Sequence, residues 1–275
     1  MKIIMPLNCI LAKFFSPLKC NALFFIMMYV LGLVCAWITL PPFKDATIYG
    51  NQYIEQFFDL YLVCLFLAIL PQKARRWVRL LLYFVLYSVA LVDAYCFVKF
   101  GSTLNPSMLM LVGETNSQEA LGFITSLISI DFLFSNVGWI VLLIAVNVLL
   151  AYLPRFKRVK IPTLPIEKYY PFAGLLTLVL FVWSAVASAH NKVATWKLMT
   201  ESSIGEVEHT LTEQGHAVLY TPMSRLVFSL YANKLASKQV DKLVAAADKV
   251  KVDSCSFRSP NIVLIIGESY GKHHS

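Results

Sequence analysis

The sequence predicts an α-helical membrane domain of five transmembrane helices, followed by a linker and the first strand of an α/β domain. Three observations carry that prediction. Apolar residues make up 58% of the 275 residues and charged residues only 15%, a balance too apolar for a water-soluble globule. Five apolar segments approach the roughly 20 residues that a helix needs to cross about 30 Å of hydrocarbon. A sixth apolar run, NIVLII at 261–266, is short, follows Ser259-Pro260 and is closed by Gly267, the pattern of a buried parallel strand.

Taken in order, the segments at 22–40, 132–153 and 170–189 carry no charge. The segment at 77–98 has Arg79 close enough to one end to snorkel and Asp93 near the other, where a charge costs less than at the bilayer centre. The segment at 57–70 is the shortest and contains Asp59; a start near Tyr53 lengthens it and moves Asp59 towards the interface. Lys2, Lys13 and Lys19 ahead of the first span resemble the basic start of a secretory signal. No small-residue cleavage site follows, since the chain runs on as TLPPFKD, and the span reads as a retained anchor.

The formal charge of +8 raises the question of a polyanionic partner, and its distribution answers against nucleic acid. Residues 1–189 hold 14 Lys+Arg and 8 Asp+Glu, residues 190–275 hold 10 and 8. The excess therefore sits in the apolar part, in alternate loops. Lys2, Lys13 and Lys19 precede the first span; Lys73, Arg75, Arg76 and Arg79 precede the third; Arg155, Lys157, Arg158, Lys160 and Lys168 precede the fifth. The other two loops carry Lys44 and Lys99 against Asp45, Glu55, Glu114, Glu119 and Asp131. Basic loops stay in the cytoplasm, so the N-terminus is predicted cytoplasmic and everything after Ala189 external.

The loop at 99–131 is too long for a simple connection. Its pieces at 108–112 and 121–130 read as amphipathic segments at the outer interface, with Glu114-Thr115-Asn116-Ser117-Gln118-Glu119-Ala120 between them. Local rules give two readings. Thr115 or Asn116 caps a helix with Glu119 in its first turn, or these acidic and amide groups grip a cationic lipid headgroup such as an ethanolamine ammonium.

In the tail, 190–260, Thr221 as cap and Pro222 as first residue start an amphipathic helix near 222–238, with Met223, Leu226, Val227, Leu230 and Tyr231 on its apolar face and Arg225, Lys234 and Lys238 on the others. Such a helix lies on the membrane or packs under a folded domain. The strand at 261–266 leads into GESYGKHHS. Gly267, Ser269 and Gly271 match a GxSxG nucleophile elbow, but that elbow needs earlier strands that 190–260 lacks. Glu268 is the first group past the strand, where a carboxylate can ligate a divalent cation that stabilises phosphoryl charge. His273 and His274 diverge on a helix and read as surface or cleft residues, and His190, His209 and His216 show no ligand spacing. Five cysteines lie in or near apolar stretches and only Cys255 in the polar tail, with no disulfide framework or CxxC metal spacing.

Five spans, an external tail, the strand ending in Gly267-Glu268-Ser269 and the TNxxEA-type run Thr115–Ala120 together resemble the bacterial inner-membrane phosphoethanolamine transferases. The resemblance covers essentially the whole chain and implies several expectations. Residues 1–189 are the five-helix membrane domain, 190–260 a periplasmic linker, and 261–275 the start of a sulfatase-like catalytic domain that is truncated here. Glu268 is one ligand of a catalytic zinc or another divalent cation. Thr115, Asn116 and Glu119 face the headgroup of the phosphatidylethanolamine donor. The acceptor is lipopolysaccharide, on lipid A or core, reached through a phosphothreonine intermediate and release of diacylglycerol. The family's nucleophilic threonine and its remaining ligands fall beyond Ser275, so no residue present is assigned as the nucleophile, and Ser269 does not take that place. Two alternatives stand beside it: a glycerol phosphate transferase resembling lipoteichoic acid synthase, which the TNxxEA run disfavours, and a non-catalytic membrane remnant.

Overall fold

A computed structural model describes residues 7–42, 46–114, 134–156, 169–213 and 217–250. Every extended regular element among them is a helix, and none is a strand. The strand expected at 261–266 lies outside the described residues.

Helix α1 (Leu7–Cys20) meets α2 (Ala22–Ile38) at Asn21 with a bend of 72°. The Asn21 amide is buried in this corner and donates to the Pro17 carbonyl at 3.1 Å and to the Cys64 carbonyl at 3.3 Å, so the break is tied to the next helix. Helices α3 (Gln52–Ile69) and α4 (Gln72–Phe100) are joined by extended Leu70 and Pro71, the conformation a residue before proline is driven to. Arg75 donates to the carbonyls of Ala68 and Leu70 at 2.9 and 3.0 Å, satisfying acceptors that the end of α3 leaves open. Helix α4 stops at Gly101, whose φ of 69° is left-handed and whose N–H bonds the Phe97 carbonyl at 2.9 Å, a glycine C-cap.

Helix α5 (Pro106–Glu114) is capped by Asn105, which accepts from the Met108 N–H at 3.0 Å. Then come α6 (Gly138–Phe156) and α7 (Tyr170–Leu198). Two capped helices finish the described chain: α8 (Ile204–Thr212), with a Ser203/Glu206 capping box, and α9 (Pro222–Ala247), where Thr221 caps and Pro222 takes the first position as expected.

Helices α3, α4 and α7 are long and apolar enough to cross a membrane; the bent α1–α2 pair makes a fourth if it is one span, and α6 is a shorter apolar helix. All five segments read as spans are thus helical. Outward-facing Phe66, Ile69, Leu81, Phe84, Val179 and Val186 are exposed, a belt suited to hydrocarbon and not to water. The main core is built by α2, α3, α4 and the start of α6, around Phe24, Leu31, Cys64, Leu67 and Ala90. A second core gathers Leu198, Val207, Phe228, Ala232 and Leu235 from α7, α8 and α9, with Ala217 from the segment before α9.

Three features depart from the sequence reading. Helix α1 was not anticipated; it packs along α7 and α3, with the Tyr61 hydroxyl donating to the Phe14 carbonyl at 3.0 Å. Helix α7 does not stop at Ala189 but continues to Leu198. In α9 the buried face is Phe228, Ser229, Ala232 and Leu235, while Val227 and Leu230 are 43% and 55% exposed. Arg225 lies one turn before that buried face and on the same side, at i, i+3, i+4 and i+7 spacing, and it points inward.

The α1–α7 contact depends on Gly174. A Cβ there would stand 1.9 Å from the Leu11 carbonyl oxygen, a backbone atom, whereas one at Gly50 would meet nothing within 4 Å. Gly174→Ala is expected to lower stability by about 1–3 kcal/mol through overpacking, read as a drop in thermal midpoint in detergent, with Gly50→Ala unchanged within error.

Candidate functional site

The residues assigned from the sequence, Thr115, Asn116, Glu119 and Glu268, lie outside the described residues, as do Ser269 and Cys255. Among the described residues no group of three or more His, Cys, Asp or Glu side chains is placed to hold a metal ion, so the zinc expectation rests on Glu268 alone. His190 and His209 are exposed. What the structure does assemble is a set of charges at the end of the bundle where α9 packs.

The first group is centred on Asp93 of α4, which is fully buried. Its carboxylate forms an ion pair with Arg225 of α9 and accepts the Leu104 N–H at 2.9 Å. The Arg225 guanidinium, 12% exposed, also donates to the Leu219 carbonyl at 3.0 Å and reaches the Thr39 hydroxyl at 3.4 Å. One charge pair therefore joins the end of α2, the end of α4, the turn before α5 and the first turn of α9. A buried pair stabilises only when its remaining donors and acceptors are satisfied, and here they are shared among four segments.

The second group lies between α3 and the extension of α7. Glu55 is fully buried and accepts from the Asn191 amide at 3.0 Å on both oxygens. Lys192 stands 3.0 Å from Glu55 and 2.7 Å from Asp59. The Tyr220 hydroxyl donates to the same Asp59 oxygen as Lys192. Burial, then the negative charge of Asp59, push the Tyr220 phenol well above its ordinary pKa, which keeps it protonated and donating. The Asn191 side-chain amide also bonds the backbone of Val218, its oxygen accepting the Val218 N–H at 2.8 Å and its nitrogen donating to the Val218 carbonyl at 3.2 Å, so the segment before α9 is fastened to α7.

A neighbouring bond ties α2 to α3. Gln56 is buried and donates to the carbonyls of Met28 and Tyr29 at 3.3 and 2.7 Å. Gly32 makes this possible, since a Cβ there would stand 2.2 Å from the Gln56 amide nitrogen. Beside these groups a cavity of about 420 Å³ opens between α2, α3, α4 and the start of α9, within the size range of small-molecule sites.

No family model, curated protein or solved structure matches the chain. The functional reading therefore rests on the residues themselves.

Sequence reasoning placed Asp59 and Asp93 in spans but missed their partners. It assigned Arg225 to a basic face of the helix, away from its apolar face, and assigned nothing to Lys192, Asn191 or Tyr220. The usable signal was a carboxylate inside an apolar helix, which demands a cation. Arg225→Ala, leaving Asp93 buried and unpaired, is expected to cost about 3–5 kcal/mol. Lys197→Ala, which breaks the exposed pair with Glu213 at 3.2 Å, is expected to cost about 0–1 kcal/mol. Denaturant titration in detergent separates them, and an Asp93→Ala/Arg225→Ala pair should recover part of the loss.

Proposed function

We propose that this chain forms the membrane part of a phosphoethanolamine transferase of the bacterial inner membrane, moving phosphoethanolamine from phosphatidylethanolamine to lipid A or core lipopolysaccharide. The observation that carries the reading is the pairing of two motifs far apart in one chain, Thr115–Ala120 and Gly267-Glu268-Ser269 after the apolar run at 261–266. In this reading the helices at all five apolar segments are spans, the basic loops put the N-terminus in the cytoplasm, and both motifs face the periplasm.

The described structure supports the reading at one point. Helix α5, described up to Glu114, leads in sequence into the first motif and packs on α9. Its entry turn is fixed by the Leu104 bond to Asp93. A headgroup-binding segment gains from rigid support of this kind. In the reading, Thr115, Asn116 and Glu119 hold the donor's ammonium, and Glu268 supplies a carboxylate to zinc or another divalent cation, which would stabilise negative charge on the phosphoryl oxygens. Attack on phosphorus belongs to a threonine that the resemblance puts beyond Ser275, with diacylglycerol leaving and the phosphothreonine then passing its group to the acceptor.

The complete open reading frame, expressed in membranes with headgroup-labelled phosphatidylethanolamine, tests this by diacylglycerol release and label transfer to lipopolysaccharide. Glu268→Ala is expected to remove bound metal and turnover together, and Ser269→Ala to retain both. Glu119→Gln is expected to raise the apparent donor KM. Release of diacylglycerol from phosphatidylglycerol and not from phosphatidylethanolamine would favour the glycerol phosphate transferase; release from neither would leave a membrane remnant.

A further inference from the structure

The cavity beside the charged groups is polarised along its length. Asp59, Gln56 and Tyr220 line it near the start of α9, with Thr221 and Ser224, and Leu31, Val63, Leu86 and Ala90 are among the apolar residues that line it deeper between α2, α3 and α4. Val63 lies four residues beyond Asp59 on α3, so at ~1.5 Å per residue the apolar part runs about 6 Å or more towards the middle of the bundle. Leu86, seven residues back from Asp93 on α4, reaches about 10 Å. A charged mouth over an apolar shaft is the shape of an amphiphile. With Phe66, Ile69, Leu81 and Phe84 exposed on the same two helices, the medium around the shaft is hydrocarbon.

The charge at the mouth selects the headgroup. Two carboxylates, Glu55 and Asp59, share the single ammonium of Lys192, which leaves one negative charge. Glu55 is enclosed, with Asn191 on both oxygens. Asp59 is 38% exposed; one of its oxygens takes both Lys192 and Tyr220, and the other accepts no hydrogen bond among the described residues. The pair therefore keeps one net negative charge, and Asp59 is its member that lines the cavity. It complements a cation and repels a phosphate that lacks one.

We infer that this groove binds a bilayer lipid whose headgroup carries an ammonium, with one acyl chain between α2, α3 and α4 and the ammonium at Asp59. The site needs neither Glu119 nor Glu268 and stands without the transferase reading. Tyr220 and the first turn of α9 form its roof.

Lipid retention by the purified full chain tests this, with phosphatidylethanolamine and phosphatidylglycerol of identical acyl chains titrated in detergent and bound lipid read by native mass spectrometry. The chain is expected to hold phosphatidylethanolamine roughly tenfold more tightly, about 1.4 kcal/mol. Asp59→Asn should bring the two lipids to parity; Lys192 keeps Glu55, so no lone charge is created. Leu86→Trp should fill the shaft and weaken both lipids. Equal retention of the two lipids by the unaltered chain, an undiminished preference in Asp59→Asn, or unchanged binding in Leu86→Trp would each overturn the proposal. If Asp59→Asn fails to fold, the unaltered chain and Leu86→Trp still decide it. None of these readouts depends on turnover.

Discussion

The ion pair between Arg225 and Asp93 is the constraint from which the arrangement of the second half follows. Taking a carboxylate and a guanidinium out of water costs several kcal/mol per ion before their attraction repays it. The repayment needs hydrogen bonds on the remaining atoms, and these come from Leu104, Leu219 and Thr39. Each partner belongs to a different segment, so satisfying the pair fixes the segments relative to one another. It also sets the rotation of α9. With Arg225 inward, Phe228, Ser229, Ala232 and Leu235 follow it into contact and the more apolar-looking stripe through Val227 and Leu230 is left outside.

Within the bundle the same logic operates with neutral groups. Where lipid surrounds helices, burial of apolar surface between them gains little over contact with acyl chains, and close packing and interhelical hydrogen bonds decide which helices pair. Gly174 lets α1 lie against α7. Asn21 bonds across to Cys64, Gln56 across to Met28 and Tyr29, and Asn147 of α6 to the Tyr87 hydroxyl of α4 at 3.1 Å. These polar and small residues, scattered in otherwise apolar segments, determine the neighbours that an apolar pattern alone leaves open.

Legibility in the sequence divides along this line. Length and hydropathy revealed the apolar helices, three or four of them long enough to cross a membrane, because a run of apolar residues is read segment by segment. The Thr221-Pro222 start of α9 was also legible, since capping is a property of adjacent residues. Helix α1 was not: its Lys13, Lys19 and Pro17 obscure an apolar face whose partner is α7. The face of α9 was misread because its decisive residue pairs with Asp93 at a separation of 132 residues. Lys192 was missed for the same reason, being 133 residues from Asp59, and because α7 was ended at Ala189, which cut Asn191 and Lys192 off the helix that carries them.

The extension of α7 is what turns two local oddities into one electrostatic system. An acidic residue low in an apolar helix reads by itself as an anomaly near an interface. Carried nine residues beyond Ala189, α7 brings a single ammonium between Glu55 and Asp59 and an amide onto Glu55, while the segment it pairs with through Val218 delivers Tyr220 to Asp59. Two carboxylates and one lysine cannot balance. Glu55 is enclosed among protein groups, and half-buried Asp59 is the member of the pair that faces the groove. The fold thus places an excess of negative charge at the mouth of an apolar groove, under a roof that the Arg225–Asp93 pair holds in position.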